Sequence, residues 1–127
     1  MPRPIAYAAA LALTMLVLPL SPAMSAANLP RLLATIGPEH EISLMRGGSR
    51  VSTISRGTYL IVVRDRSKID NFHLEGPENP AAPQVDRRTK LPFVGMVTWR
   101  VTFRGGGRYF FRSDRRSSTI GGSFRVR

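Results

Sequence analysis

Tyr109-Phe110-Phe111-Arg112-Ser113-Asp114-Arg115-Arg116-Ser117-Ser118-Thr119-Ile120-Gly121-Gly122-Ser123-Phe124 is the stretch on which the fold turns. It begins as an aromatic strand. Tyr109 and Phe111 share one face, while Arg108, Phe110 and Arg112 share the other, because successive side chains of a strand point to opposite sides. It then becomes a loop of arginines and hydroxyls, and re-enters a strand at Gly122-Ser123-Phe124. Beyond it, Phe124 and Val126 alternate with Arg125 and Arg127.

The same period of two extends backwards along the chain. Val97, Trp99, Val101 and Phe103 alternate with Thr98, Arg100, Thr102 and Arg104, and Gly105-Gly106-Gly107 turns the chain into the aromatic strand. Thr58 to Asp65 is β-branched, aromatic and nearly continuously apolar, which predicts a strand covered on both faces. Leu29 to Ile36, Glu39 to Leu44, Val51 with Ile54, and Asn71 to Leu74 read as shorter strands, the first closed by the Gly37-Pro38 turn. His40 falls among the polar, outward members of its segment and reads as a surface residue. Gly76 to Pro92, with four prolines, reads as a long irregular loop. No helical periodicity shows after residue 27. Seven or eight short strands with regularly spaced turns predict an all-β sandwich.

Composition sets the boundaries. Residues 1–27 comprise a basic start, the uncharged apolar run Ile5 to Leu20 and a small-residue segment, Ser21 to Ala27. This is the pattern of a secretory signal peptide. The domain expected after it is 28–127, exported to the periplasm or the cell exterior, with no transmembrane segment once the leader is removed. The chain has no cysteine, which removes disulfides, thiol nucleophiles and thiolate metal ligands together. Its formal charge is +11, and from Arg100 onward eight arginines face a single acid, Asp114. That balance favours an acidic surface or polymer as partner. No aromatic–basic motif for a specific nucleic acid accompanies it.

Taken in order, Thr58-Tyr59 to Asp65, Asn71-Phe72-His73-Leu74, Phe93-Val94-Gly95, Trp99 and Tyr109 to Phe124 resemble the cupredoxins, the plastocyanin- and azurin-like blue-copper domains. The resemblance spans the chain from about Leu29 and implies a Greek-key β-sandwich. It also implies where copper ligands would stand. The Asn-Phe-His-Leu segment places a first histidine ligand at His73. Anchoring the family's closing Gly-x-Phe on Gly122-Ser123-Phe124 places the cysteine at Ser113, the second histidine at Arg116 and the axial methionine at Ile120. Asp114 matches a family aspartate, and Glu78 to Gln84 looks like an insertion.

Blue copper requires a thiolate and two imidazoles with a weak thioether. A serine hydroxyl, a guanidinium and an isoleucine offer none of these, and an arginine repels a metal ion. No metal is therefore expected, and His73 is the one retained ligand position. The expected cofactor is none; the alternative, copper bound weakly as a carrier or electron-transfer protein, keeps the family's function. Met45 and Met96 are not clustered and read as packing residues. Arg112, Ser113, Arg115, Arg116 and Ser117 form a candidate anion site of guanidinium forks and hydroxyls. No Gly-x-Ser-x-Gly, His-Glu-x-x-His or P-loop pattern is present, so the chain is expected not to be an enzyme. A non-redox binding or structural module with a basic loop at the former copper end is the expected function.

Overall fold

In a computed structural model, residues 28–78 and 84–127 are described, with positions 2 and 4 besides. The expected leader and most of the Glu78–Gln84 segment lie outside the described residues. Ten strands follow in order: β1 Arg31–Ile36, β2 Ile42–Arg46, β3 Ser49–Arg50, β4 Thr53–Ile54, β5 Gly57–Asp65, β6 His73–Gly76, β7 Val85–Arg88, β8 Gly95–Phe103, β9 Gly107–Arg112 and β10 Gly121–Val126. They form two five-stranded sheets, ordered β3-β2-β1-β5-β8 and β4-β10-β9-β6-β7. Both sheets are mixed, since β1 runs parallel to β5 and β4 parallel to β10. The all-β sandwich expected from strand spacing is the fold observed.

Two details of the strand pattern differ from expectation. β5 is covered on one face only: Tyr59, Ile61 and Val63 are buried, while Leu60 and Val62 are half-buried and Arg64 is exposed. No helix packs over the first sheet among the described residues. The other is β7, inside the expected loop. Its Val85-Asp86-Arg87-Arg88 sequence carries three charges, yet it pairs antiparallel with β6 at the sheet edge, where charge is tolerated and useful.

The core is held by aromatic rings contributed by both sheets. Phe103 of β8 meets Tyr109 edge-on at 5.1 Å and Phe124 edge-on at 5.7 Å. Tyr109 and Phe124, opposite each other on β9 and β10, stack at 5.6 Å. Phe111 continues the stack to Phe72 at 5.7 Å. These offset and edge-to-face arrangements suit the quadrupole of each ring. The Gly122 position explains the glycine before Phe124: a Cβ there would meet the Phe111 ring at 2.5 Å, so only glycine lets the ring lie against β10.

The arginines face outward, as the period-two reading expects. On the first sheet, register aligns Arg31, Leu60 and Arg100 in one row, Met45, Leu33, Val62 and Thr98 in the next, and Thr35, Arg64 and Met96 in a third. No carboxylate stands on that face; Asp65, the one acid in these strands, is buried.

Phe124 joins both sheets through three rings. Truncation to alanine leaves a cavity that flanking strands cannot close. Phe124→Ala is expected to lower unfolding stability by about 3–5 kcal/mol, read from urea denaturation midpoints. A loss below ~1 kcal/mol would show that the ring is not a shared contact.

Candidate functional site

Four connections converge at one end of the sandwich: the β1–β2 turn, the β5–β6 loop, the start of the β7–β8 loop, and the β9–β10 loop. The β9–β10 loop is a closed unit. Ser113 N–H donates to Ile120 O at 3.1 Å, Ile120 N–H donates to Arg116 O at 2.8 Å, and Arg116 N–H donates to Ser113 O at 3.2 Å. Asp114–Arg116 form a single 3-10 turn. The loop sequence therefore carries Ser113, Arg116 and Ile120 into one small ring of backbone bonds.

The side chain that meets this ring is Asp70, in the β5–β6 loop. It is fully buried. Ser113 Oγ donates to its Oδ1 at 2.9 Å, and Arg116 Nε lies 3.7 Å from the same oxygen. His40 Nδ1 donates to its Oδ2 at 2.6 Å. The carboxylate is set by its own loop, since Ser67 Oγ accepts from Asp70 N–H at 2.9 Å. Burial pushes the Asp70 carboxyl upward. The hydrogen bonds from His40 and Ser113, and the charges of His40 and Arg116, outweigh this and hold it below the ordinary carboxylate range.

His40 is thus no plain surface residue. It is half-buried, and its backbone adopts φ 65°, the left-handed region uncommon for residues with a Cβ. The alternating strand expected from Glu39 begins later, at Ile42, and His40 belongs to the turn that presents its ring to Asp70.

Asn71 ties the β5–β6 loop to the β9–β10 loop. Its Oδ1 accepts from Asp114 N–H at 2.8 Å, and its Nδ2 donates to Asp114 Oδ2 at 2.8 Å and to Thr89 O at 3.3 Å. Thr89 Oγ1 donates to Asp65 Oδ2 at 2.8 Å and accepts from Phe72 N–H at 2.9 Å. Burial raises the Asp65 carboxyl despite its bonds from Ser67 and Thr89. Every buried side-chain nitrogen and oxygen among the described residues has a partner.

His73 occupies a different place. It faces outward on β6, one residue from the inward Leu74, yet it is only 3% exposed. Its Nδ1 lies 2.6 Å from Asp114 Oδ1, its Nε2 lies 2.6 Å from Asp86 Oδ1, and Glu75 Oε2 is 3.6 Å from Nε2. Asp86 is held low chiefly by its His73 hydrogen bond. Asp114 is raised by burial but lowered further by Asn71 and His73. Register sets Arg112 and Arg88 on either side of His73. Arg112 pairs with Glu75, and Arg88 lies 3.6 Å from Asp86 and 3.4 Å from Asp114. A row of two arginines with His73 between them is therefore flanked by three carboxylates.

The ligand positions expected from the sequence do not all meet. Ser113 and Arg116 come together at Asp70, and Ile120 is buried in the core beside their backbone. The geometry sets Asp70, not His73, against Ser113 and Arg116. This cluster does not fit type 1 copper: a carboxylate, a hydroxyl and a guanidinium supply neither thiolate nor imidazole pair. The residues of the candidate anion site are also separated. Ser113 is fully buried and engaged by Asp70, Arg112 is turned to Glu75 and Arg116 to Asp70, while Arg115 and Ser117 are exposed. Sequence reading passed over Asp70 and Asp86; a lone acid inside the Ser67-x-x-Asp70 turn of a strongly basic chain was the available signal.

Comparison with known proteins places the fold. No protein-family model matches the sequence, and no curated protein matches it. Solved structures of rusticyanin do match. A single-site variant superposes with a TM-score of 0.54 at 14% identity over 76% of each chain. Reduced rusticyanin gives 0.52 at 14% identity, covering 76% of this chain and 78% of the other. Rusticyanin from Thiobacillus ferrooxidans gives 0.50 at 15% identity, covering 76% of each. The fold is a cupredoxin-like β-sandwich, and the absence of any cysteine fits a chain without a type 1 copper site. Among the described residues, no helix is long and apolar enough to cross a membrane.

Lowered carboxyls contribute stability that is complete above the ordinary aspartate range near pH 4 and is lost as pH falls through their depressed folded-state values. Asp70, Asp86 and Asp114 act in this sense; Asp65, raised, acts in the opposite one. Thermal midpoints are expected to fall as pH drops below about 4. Asp70→Asn should lower the midpoint at neutral pH and flatten that decline. A parallel displacement of the two curves at every pH would show that Asp70 ionisation does not contribute.

Proposed function

We propose that this chain is an exported, non-redox, cupredoxin-like module in which a hydrogen-bonded carboxylate stands at the locus where the family places copper. One observation carries the reading: the buried Asp70 accepts from Ser113 and His40 and lies beside Arg116. One of the three lost ligand positions, Ser113, is thereby hydrogen-bonded to this side chain, a second, Arg116, faces it as an ion pair, and the carboxylate is fully buried. A binding or structural role follows, with the basic surface as the point of contact for an acidic surface or polymer. The exposed Arg115 and Ser117 remain at the tip of the loop for such contact.

The same geometry supports a non-catalytic reading. Serine, histidine and aspartate meet here, but the aspartate stands between the other two. A nucleophilic serine needs the histidine next to it as base, with the aspartate behind. A Ser113 that donates to a carboxylate and is fully buried is a structural hydroxyl.

The test uses copper itself. Cu(II) added to the protein is expected to give no intense blue thiolate-type absorption; a stoichiometric blue complex would overturn the reading. Rebuilding the centre distinguishes the two histidine positions. Ser113→Cys, Arg116→His and Ile120→Met together should give no blue centre while Asp70 remains, because the carboxylate occupies the ligand position. Adding Asp70→His should create one. Blue colour in the triple variant, drawn from His73, would show that Asp70 is not at the copper locus.

A further inference from the structure

The cluster around His73 has a chemistry that the closed Asp70 centre lacks. His73 and Glu75 stand two residues apart on β6, so both project from the same face. Asp86 lies directly across from Glu75 on the edge strand β7. One ligand atom from each of the three can be chosen so that all lie within 4.8 Å of one another. An i, i+2 pair plus a cross-strand neighbour gives three donors around one point. Among the described residues the edge position leaves the fourth direction open, where a cleft is lined by Glu75, Pro77, Glu78 and Asp86.

The donor set is hard and borderline, one imidazole and two carboxylates. That suits a zinc-type divalent ion held by three protein ligands and water. It does not suit copper of the blue type. The supporting shell is already in place. Asp114 Oδ1 holds His73 Nδ1 at 2.6 Å, the carboxylate–histidine arrangement that orients a metal-binding ring. Asn71 holds Asp114 in turn. Arg112 pairs with Oε1 of Glu75, leaving Oε2 turned to His73. Arg88 approaches Oδ1 of Asp86, leaving Oδ2 without a partner among the described residues.

We propose that His73 Nε2, Glu75 and Asp86 bind one zinc-type divalent cation on the outer face of the second sheet, with Asp114 as the positioning residue for the ring. The site is distinct from the Asp70 centre and stands independently of whether that centre ever held copper. Without a metal, a carboxylate oxygen lies 2.6 Å from each ring nitrogen. The ion takes the place of whatever proton Nε2 carries, and that proton passes to solvent. Three carboxylates then balance the ion and two arginines to within one charge.

Titration of the purified full chain with Zn2+ by calorimetry, repeated with Co2+ by visible absorption, tests this. One ion per chain is expected, with the Co2+ spectrum of a low-coordinate site. Asp86→Asn and Glu75→Gln, both at partly or fully exposed positions that leave the core untouched, should each weaken Zn2+ binding about tenfold or more, and Asp114→Asn about 10–100-fold. Glu39→Gln, which removes an exposed carboxylate outside the cluster, should leave the affinity unchanged. Absence of stoichiometric binding overturns the proposal. So does equal weakening by Glu39→Gln and Asp86→Asn, which would mark surface adsorption rather than a site.

Discussion

One buried carboxylate organises the loop end of this sandwich. Asp70 cannot lie out of water at this end unless it is charged and fully bonded or neutral. It is bonded by His40, Ser113 and Ser67's turn, and faced by Arg116. These partners come from three separate connections. The β1–β2 turn, the β5–β6 loop and the β9–β10 loop are therefore positioned relative to one another by a single side chain. The left-handed backbone at His40 fits this account, because strain at one residue is sustained when a strong hydrogen bond depends on it. Hydrogen bonds to a charged acceptor join these connections, a stronger kind than neutral ones.

The outer face of the second sheet solves a different problem. Arg88 and Arg112 flank His73 in a cross-strand row, and like charges on the same sheet face repel. Glu75 and Asp86 on one side and Asp114 on the other supply the opposing charge. The arrangement is a small ionic lattice rather than a set of separate salt bridges. Its centre is buried under its rim, so its interactions are screened less than those of exposed pairs. β7 owes its existence to this lattice as much as to its backbone pairing, since only Val85 among its four residues is apolar.

How much of this was legible depended on the range of the interaction. Tyr109, Phe111 and Phe124 announce their core face by local alternation, and the rings do stack. The Gly-x-Phe ending was readable through the family resemblance alone; that the Phe111 ring lies against Gly122 is seen only in the fold. β7 was not readable: three charges in four residues look like loop, and only pairing with β6 makes a strand of them. Thr58 to Asp65 looked covered on both faces because Leu60 and Val62 are apolar, but among the described residues no element packs over them. Asp70 was missed for a reason of distance. Its side-chain partners Ser113 and His40 lie 43 and 30 positions away in the chain, and local pattern carries no signal of such pairs. His40 was misread because period two was carried one turn too far, across a residue where the backbone leaves the strand.

The two sheets differ in one further respect. The outward rows of the first sheet hold Arg31, Arg64 and Arg100 with no acid among them, whereas Glu75 and Asp86 stand on the second sheet and Asp114 on the loop beside it. A molecule with charge distributed in this way has a permanent electric dipole as well as a net positive charge. In a field it does not simply drift; it turns. Within a few Debye lengths of a negatively charged surface, about 8 Å each at physiological ionic strength, the acid-free face experiences the stronger pull and swings forward. Orientation is then selected before any contact forms, and the His73 lattice, on the opposite face, stays turned toward solvent.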